Sequence, residues 1–379
     1  LILDLENQKI INNFNINSIN IDHSSKSRTA DLSTNVLIIL LKKNLDKSFN
    51  LKEYVNSYFK NLKYIEGIEI VNPGFVNISI KKQFLYSKLK EIFNNKHNFF
   101  SAPKKNKINI EFVSANPTGP IHVAHMRGAV IGDVLSSIFN AIGYSVTREY
   151  YVNDAGSQII TLGNSLFKRY LELFNIKVDL LDGEYPGEYL IEIAHEIKKN
   201  DSDKWIKYQN IDERNKYFQS IAVNFLINKI KSDLSLINVS FDKFTFESEI
   251  IKKKLLSKVF SLLEEKKLIY EGVLDKPLGD DDKNWEPRKQ LLFRSTKFND
   301  DFDRPFKKAN GDWTYFANDS AYHYDKFTRG YDNLINIWGA DHIGYVSRMK
   351  SIVDAISNKK NYLEICICQI VRLIKNGNL

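Results

Sequence analysis

The sequence predicts an α/β protein built around a parallel, doubly wound sheet with a helical insertion, preceded by a small α/β domain. Two observations lead to this prediction. A strand, a loop, a helix and a second strand follow one another between residues 107 and 152, which is how a doubly wound sheet begins. The 379 residues also exceed what one ordinary core accommodates, so that more than one domain is expected.

Residues 1–100 are predicted to form the N-terminal α/β domain. Apolar residues at helical spacing, and then apolar residues alternating with polar ones, define its elements. In chain order these are helices over 33–44 and 51–62, strands around 68–70 and 75–80 joined by a turn at Asn72-Pro73-Gly74, and a basic helix over 81–94. The polar, basic segment 101–107 is predicted to be a linker.

Residues 101–379 are predicted to form the main domain, which begins with a strand over 107–113. The helix that follows, over 121–142, carries two apolar stripes, one through Val130 and one through Ile131. A helix that is apolar on two sides is expected to be largely buried. A second strand over about 144–152 completes the opening unit of the sheet.

The segment from about 160 to 290 is predicted to be a helical insertion, because amphipathic helical patterns dominate it. The clearest of them covers 248–266. Two apolar segments further along, 334–339 and 362–373, are predicted to supply later strands.

The composition is typical of a soluble globular protein in a reducing cytoplasm, with no membrane span. Hydrophobic residues make up 43% of the chain, and no apolar run approaches the roughly 20 residues of a spanning helix. Two cysteines, Cys366 and Cys368, argue against a disulfide framework. Since no histidine is near them in sequence, we expect them in the core rather than at a metal. The net charge of +8 suits either a polyanionic partner or a solvated lysine-rich surface.

His122 and His125 are the candidate catalytic residues, at the first turn of the helix predicted after the first sheet strand. The free N–H groups and the dipole at a helix N-terminus attract phosphate. Two histidines at positions i and i+3 share one helix face and can donate hydrogen bonds to phosphate oxygens as charge develops there. Taken alone, such a pair would more often be two surface histidines at a helix start. Four further histidines have no partner by spacing: His23, His97, His195 and His323.

The surrounding sequence resembles the arginyl-tRNA synthetases, a family of class I synthetases. Residues 110–159 are similar to the family's signature block, in which a HIGH motif follows a Ser/Ala-Asn-Pro-Thr-Gly-Pro loop. Two further blocks, 285–298 and 312–350, resemble later parts of its catalytic domain, and the N-terminal segment is weakly similar to the family's N-terminal domain. The resemblance therefore implies a class I synthetase Rossmann-like sheet.

The resemblance also implies two sets of binding residues. The planar guanidinium group of arginine, with five N–H donors, requires carboxylate and phenolic oxygens as acceptors. The implied arginine-binding residues are Glu111, Ser114, Asn116, Tyr315, Asp319 and His342. The implied ATP-binding residues are His122, Ala124, His125, Gly339 and Asp341. Without the family match, Glu111 would be a solvated strand residue, Tyr315 a core aromatic residue and Asp341 a helix cap.

The activity implied is that of an arginine-tRNA ligase, which activates L-arginine with ATP and transfers it to tRNA(Arg). Mg²⁺ accompanies the ATP, and no protein-bound metal is expected. No protein base is required, because the arginine carboxylate is already ionised. The protein is expected to be a monomer whose N-terminal domain, through the basic helix over 81–94, contacts tRNA. The rival hypotheses are a non-catalytic tRNA-binding or regulatory relative, and another HIGH-type nucleotidyltransferase.

Two departures from the family pattern bear on activity. Ala124 stands where the HIGH motif has its glycine. The chain is expected to stop before the KMSKS loop and the C-terminal anticodon-binding domain. No lysine lies between Ile108 and His122. We therefore expect a KMSKS-type loop with a working lysine soon after Leu379, and poor tRNA charging by residues 1–379 alone.

Overall fold

The computed structural model describes residues 1–12, 14–23, 30–95, 106–274, 287–371 and 374. The chain divides into two compact units, Leu1–Phe100 and Ser101–Leu379. Most of the predicted linker, 101–105, lies outside the described residues.

The N-terminal unit is a four-stranded antiparallel sheet with helices packed against it. The strand order is β1-β2-β4-β3. Its elements are α1 (Ile2–Asn7), β1 (Ile21–His23), β2 (Leu32–Thr34), α2 (Val36–Lys43), α3 (Leu51–Lys60), β3 (Ile65–Val71), β4 (Phe75–Ile80) and α4 (Lys82–Asn95). Leu37, Leu40 and Val55 pack with Val76 in one apolar core. The predicted helices and strand pair are therefore present. The structure adds α1, β1 and β2, which are too short to show a clear period.

The second unit is built on a five-stranded parallel sheet with the order β12-β11-β5-β6-β7. The predicted doubly wound sheet is thus confirmed. The strands are β5 (Lys107–Glu111), β6 (Ser145–Val152), β7 (Lys243–Phe246), β11 (Asn333–Gly339) and β12 (Leu363–Cys368). The main helices around them are α5 (Val123–Ala141), α11 (Tyr315–Thr328) and α12 (Val346–Ser357). Because β5 is central, four of its five residues are buried and the side chains on both of its faces are enclosed.

The prediction that α5 is largely buried is wrong for one of its two stripes. Val130, Val134 and Ile138 are 50%, 49% and 53% exposed. The helix approaches the sheet through small residues instead, and a Cβ atom added to Gly132 would lie 2.1 Å from the Phe112 ring. This close approach turns the Val130 stripe away from the sheet, while the stripe through Ile131 packs against the core.

The predicted insertion begins with a helical region, after which the chain returns to the parallel sheet. The helical region consists of α6 (Ser157–Glu172), α7 (Tyr189–Asp201) and α8 (Ile211–Ser235), whose core includes Leu166, Trp205 and Phe218. Strand β7, which the sequence analysis did not predict, follows within the range 160–290. It has only four residues, too few to establish a period.

The helix predicted over 248–266 is interrupted. It consists of α9 (Glu247–Lys252) and α10 (Leu255–Glu265), because Lys254 adopts a left-handed conformation with φ of 52°. An antiparallel sheet of β8 (Ile269–Gly272), β9 (Gln290–Phe293) and β10 (Arg304–Lys307) follows. None of the helices within the described ranges is both long and apolar enough to cross a membrane.

Candidate active site

A cleft of about 750 Å³ opens at the carboxyl ends of the parallel strands. In doubly wound sheets this edge is where ligands bind. All eleven residues implied by the sequence line this one cleft: Glu111, Ser114, Asn116, His122, Ala124, His125, Tyr315, Asp319, Gly339, Asp341 and His342. Residues that are more than 200 positions apart in sequence are therefore brought together.

His122 and His125 lie at the N-terminus of α5, as the sequence predicts. His122 is the exposed N-cap residue, and the centroids of the two imidazole rings are 4.0 Å apart. The backbone N–H of His122 donates to Nδ1 of His125 at 3.2 Å. Since Nδ1 accepts this bond, Nε2 carries the proton and is available as a donor to a ligand. Burial and the neighbouring His122 lower the pKa of His125, so its imidazole is neutral at pH 7.

The segment between β5 and α5 leaves the sheet through an unusual backbone conformation. Val113 and Ser114 have φ values of 67° and 40°, in the left-handed region that β-branched residues rarely adopt. The Ser114 hydroxyl compensates with two hydrogen bonds: it donates to Oε1 of Glu111 at 3.1 Å and accepts from the Tyr151 N–H at 3.0 Å. Strained backbone of this kind is concentrated at functional sites.

Glu111 is held by a buried lysine that the sequence analysis did not single out. Nζ of Lys326, which has no exposed side-chain surface, lies 2.6 Å from Oε2 of Glu111 and donates at 3.1 Å to Oδ1 of Asn336. The ammonium group also lies 4.6 Å from the centroid of the Tyr322 ring. Glu111 is itself buried, so the alternative of a solvated strand residue is wrong.

The network continues through His323, for which spacing indicated no partner. Because Oδ1 of Asn336 accepts from Lys326, its Nδ2 is the donor to Nε2 of His323, at 2.9 Å. Nδ1 of His323 then donates to the backbone carbonyl of Asp319 at 2.8 Å. Burial and the charge of Lys326 lower the pKa of His323 to about 3. The imidazole is therefore a fixed neutral link between β11 and α11.

Asp319 is a carboxylate of the cleft for which no lysine or arginine forms an ion pair within the described part of the chain. Burial and the nearby carboxyl groups of Glu111 and Glu247 raise its pKa to about 7, against the opposing effect of the Tyr345 hydroxyl. The nearest lysine in the network, Lys326, is engaged by Glu111. A cationic ligand group would relieve this electrostatic cost.

Two predicted arginine-binding residues lie further out in the cleft. Tyr315, the first residue of α11, is 77% exposed, so the alternative of a core aromatic residue is wrong. Asn116 is exposed, and its Nδ2 donates to Oε1 of Gln158 in α6 at 3.1 Å. Both side chains are accessible to a ligand.

Gly339, Asp341 and His342 form the cleft wall where β11 ends. A Cβ atom on Gly339 would lie 2.3 Å from Oδ1 of Asp341, so the glycine allows the carboxylate to fold back over the strand end. Asp341 also lies 3.3 Å from Nε2 of His342. Both side chains are exposed, at 75% and 60%, and their polar atoms are free to contact a ligand.

The two cysteines differ in environment: Cys366 is exposed, and Cys368 is buried at the edge of the cleft. The prediction of a core position therefore holds only for Cys368. Across the described ranges, no group of three or more His, Cys, Asp or Glu side chains could hold a metal ion.

Two family models match the chain. The model described as tRNA synthetases class I (R), catalytic domain, matches residues 88–362, and the model for the arginyl tRNA synthetase N terminal domain matches residues 5–80. The arginine–tRNA ligase of Orientia tsutsugamushi (strain Boryong) is 43% identical over 361 residues, or 94% of this chain. That of Ehrlichia ruminantium (strain Welgevonden) is 39% identical over 382 residues, or 99% of this chain.

Solved structures are similar as well. A putative arginyl-tRNA synthetase from Campylobacter jejuni is 33% identical with a TM-score of 0.65, over 79% of this chain and 62% of that one. The arginyl-tRNA synthetase of Plasmodium falciparum, at 20% identity and a TM-score of 0.66 over 97% of this chain and 64% of that one, shares the fold. The chain spans 61% and 66% of the length of the Orientia and Ehrlichia relatives.

Proposed function

We propose an activity for this chain on the basis of its family: the chain belongs to the arginyl-tRNA synthetases. It supplies the site at which L-arginine is activated with ATP, for transfer of the arginyl group to tRNA(Arg). The observation that carries the proposal is the uncompensated Asp319 carboxyl group, which shares one cleft with a pair of histidines at a helix N-terminus.

The arginine side of the cleft is suited to a guanidinium group. Lys326 neutralises Glu111, so the guanidinium supplies the cation that Asp319 lacks. A planar donor group pairs best with carboxylate oxygens. Tyr315 is exposed at the rim of the cleft and contributes its phenolic oxygen from there. The α-amino and carboxylate end of the substrate would contact the remaining candidate residues, Ser114, Asn116 and His342.

The ATP side is suited to a triphosphate. The α5 N-terminus, Nε2–H of His125 and the exposed His122 offer donors to phosphate oxygens. Asp341, beside Gly339, is placed to accept from ribose hydroxyls. Mg²⁺ would accompany the phosphates and offset their charge.

In the reaction, an oxygen of the arginine carboxylate attacks the α-phosphorus of ATP, and the bond to the leaving pyrophosphate breaks. The products are arginyl adenylate and pyrophosphate. Since the nucleophile is already ionised, the protein contributes positioning and donors aimed at the charge that develops. His122 and His125 are the residues we assign to that role, and His125, whose pKa is lowered by burial, acts as a neutral donor rather than as a base.

The proposal extends to the partners. Residues 1–100 are the candidate tRNA-contacting domain. Helix α4 carries three lysines and one glutamate, and none of its side chains is buried within its own unit. We place the protein in the cytoplasm as a monomer. A second candidate function, tRNA binding without turnover, is favoured by one observation: Ala124 brings a methyl group into the cleft wall where the family has glycine.

Arginine binding tests the proposal. In the complete gene product, Asp319→Asn should weaken arginine binding by about 2–5 kcal/mol, because a buried guanidinium loses its charged partner. ATP binding should be unchanged, as should both affinities in the control Asp212→Asn, an exposed residue of α8. Both dissociation constants are measured by calorimetry, beside aminoacylation of tRNA(Arg). Equal losses for arginine and ATP, or normal arginine binding, would contradict the assignment.

A further inference from the structure

The helical region contacts the segment between β5 and α5 at two points. Oη of Tyr189, the first residue of α7, donates to the backbone carbonyl of Thr118 at 2.6 Å. Gln158 of α6 accepts from Asn116 at 3.1 Å. The segment that leads to His122 is therefore held from outside the parallel sheet.

One of the two glycines near the Tyr189 ring, Gly187, leaves the space that the ring occupies. A Cβ atom on Gly187 would lie 2.1 Å from Cε1 of Tyr189, so no other residue fits there without moving the ring. A Cβ atom on Gly119 would lie 3.7 Å from the Tyr189 hydroxyl, which is ordinary contact. The ring thus lies against the Thr118–Gly119 peptide, and its position depends on Gly187.

The two halves of the segment between β5 and α5 are held by different hydrogen bonds. Its first residues are tied to the sheet, since Ser114 bonds to Glu111 and Tyr151, and the carbonyl of Ala115 accepts from the Tyr150 hydroxyl at 2.8 Å. For residues 117–121, the Tyr189 hydroxyl is the hydrogen-bond donor supplied by the rest of the described chain. The half of the segment nearer His122 therefore depends on α7.

We infer that Tyr189 is a positioning residue for the ATP side of the cleft: its hydroxyl fixes Thr118 and thereby the approach of His122 to the phosphates. This inference rests on the proposed function. Thr118 precedes His122 by four residues, and only Gly119, Pro120 and Ile121 lie between them. Removal of the hydroxyl should loosen this stretch, while the arginine-side contacts of Ser114 and Ala115 remain.

The test compares Tyr189→Phe with Tyr170→Phe. Tyr170 of α6 is a matched control, because its hydroxyl also donates to a backbone carbonyl at 2.6 Å, that of Ser202, away from the cleft. Dissociation constants for ATP and arginine are measured by calorimetry on the complete gene product. Amide hydrogen exchange is measured for Thr118, Gly119, Ile121 and His122 without ligand.

Tyr189→Phe should weaken ATP binding roughly three- to tenfold, the effect of one hydrogen bond, with arginine binding unchanged and exchange of the four amides faster. Tyr189→Phe and Tyr170→Phe should lower the melting temperature by similar amounts. Tyr170→Phe, however, should leave ATP binding and the exchange of the four amides unchanged. Gly187→Ala, which displaces the ring, should repeat the ATP effect. ATP binding and amide exchange equal to those of Tyr170→Phe would overturn the inference. If the unsubstituted protein binds no ATP, the proposed function fails, and the exchange measurement still decides whether Tyr189 holds the segment.

Discussion

The two sides of the cleft are built in opposite ways. The phosphate-binding part of the ATP side rests on four consecutive residues at a helix start, with His122 exposed and His125 half-buried. The arginine side depends on a buried network that joins Glu111 of β5, Lys326 of α11 and Asn336 of β11. Substitutions on the ATP side should therefore change function alone, whereas those in the network should change function and stability together.

The largest expected effect is on stability, from Lys326→Met. The substitution leaves the buried Glu111 carboxylate without its cation, and breaking a buried pair in this way costs about 3–5 kcal/mol. Guanidinium unfolding followed by tryptophan fluorescence measures the change.

A matched control is Lys350→Met, which removes an ion pair with Glu364 that has an N–O distance of 2.8 Å but is partly exposed. Its effect should stay within about 1 kcal/mol. The double substitution Lys326→Met with Glu111→Gln should recover part of the loss, since no buried charge is then left unpaired. If Lys326→Met and Lys350→Met lost equal amounts of unfolding free energy, the buried network would be no more important for stability than a partly exposed ion pair. The contrast between the two sides of the cleft would then fail.

The next effect is on rate, from His125→Ala. Loss of a donor aimed at developing charge should lower arginine activation on the order of 10²–10³-fold, while the free energy of unfolding changes little because the side chain faces the cleft. Activation is measured as arginine-dependent ATP–pyrophosphate exchange with tRNA present. His195→Ala, an exposed position of α7, is the control. Unfolding of the His125 variant would show that the ATP side is as structural as the buried network.

A smaller effect is the pH dependence of arginine binding. In the unliganded protein, burial raises the pKa of Asp319 to about 7, and the guanidinium pairs with the ionised carboxyl group. Below pH 7 arginine must displace a proton, so its affinity should rise about tenfold per pH unit up to about 7 and then level. The stability contribution of Asp319 has the opposite sign: it is present below about pH 4 and is lost as pH rises through about 7.

The histidine of the network, His323, does not produce this profile, because its pKa is lowered to about 3. The pH dependence of arginine affinity is measured by calorimetric titrations between about pH 5.5 and 8.5. This window extends about 1.5 units either side of the raised pKa. Asp319→Asn should bind weakly with no slope over this range. A slope that survives in that variant would assign the titration to another group.

The sequence located His122 and His125 at a helix start but did not reveal the buried network around Glu111. His122 and His125 could be found because a helix start and two histidines at i and i+3 form a local pattern. Lys326 could not, since a lysine in a helix is ordinarily solvated, and its burial depends on β5 and β11 closing over it. The exposure of the Val130 stripe was missed for a related reason: periodicity shows that a face is apolar but not that Gly132 brings another face to the sheet.

The smallest effect expected is from Gly339→Ala, at the far wall of the ATP side. The added Cβ atom would lie 2.3 Å from Oδ1 of Asp341, whose side chain is 75% exposed and can swing into solvent. Stability should therefore stay within about 0.5 kcal/mol of the parent. ATP binding should weaken severalfold as the carboxylate leaves the ribose position, while 2′,3′-dideoxy-ATP, which lacks both hydroxyls, should bind the parent and the variant equally. Gly344→Ala, with nothing within 4 Å of its added Cβ atom, is the matched control. Equal weakening for ATP and the dideoxy analogue would show that the methyl group obstructs the nucleotide itself, and Asp341 would lose its assigned contact.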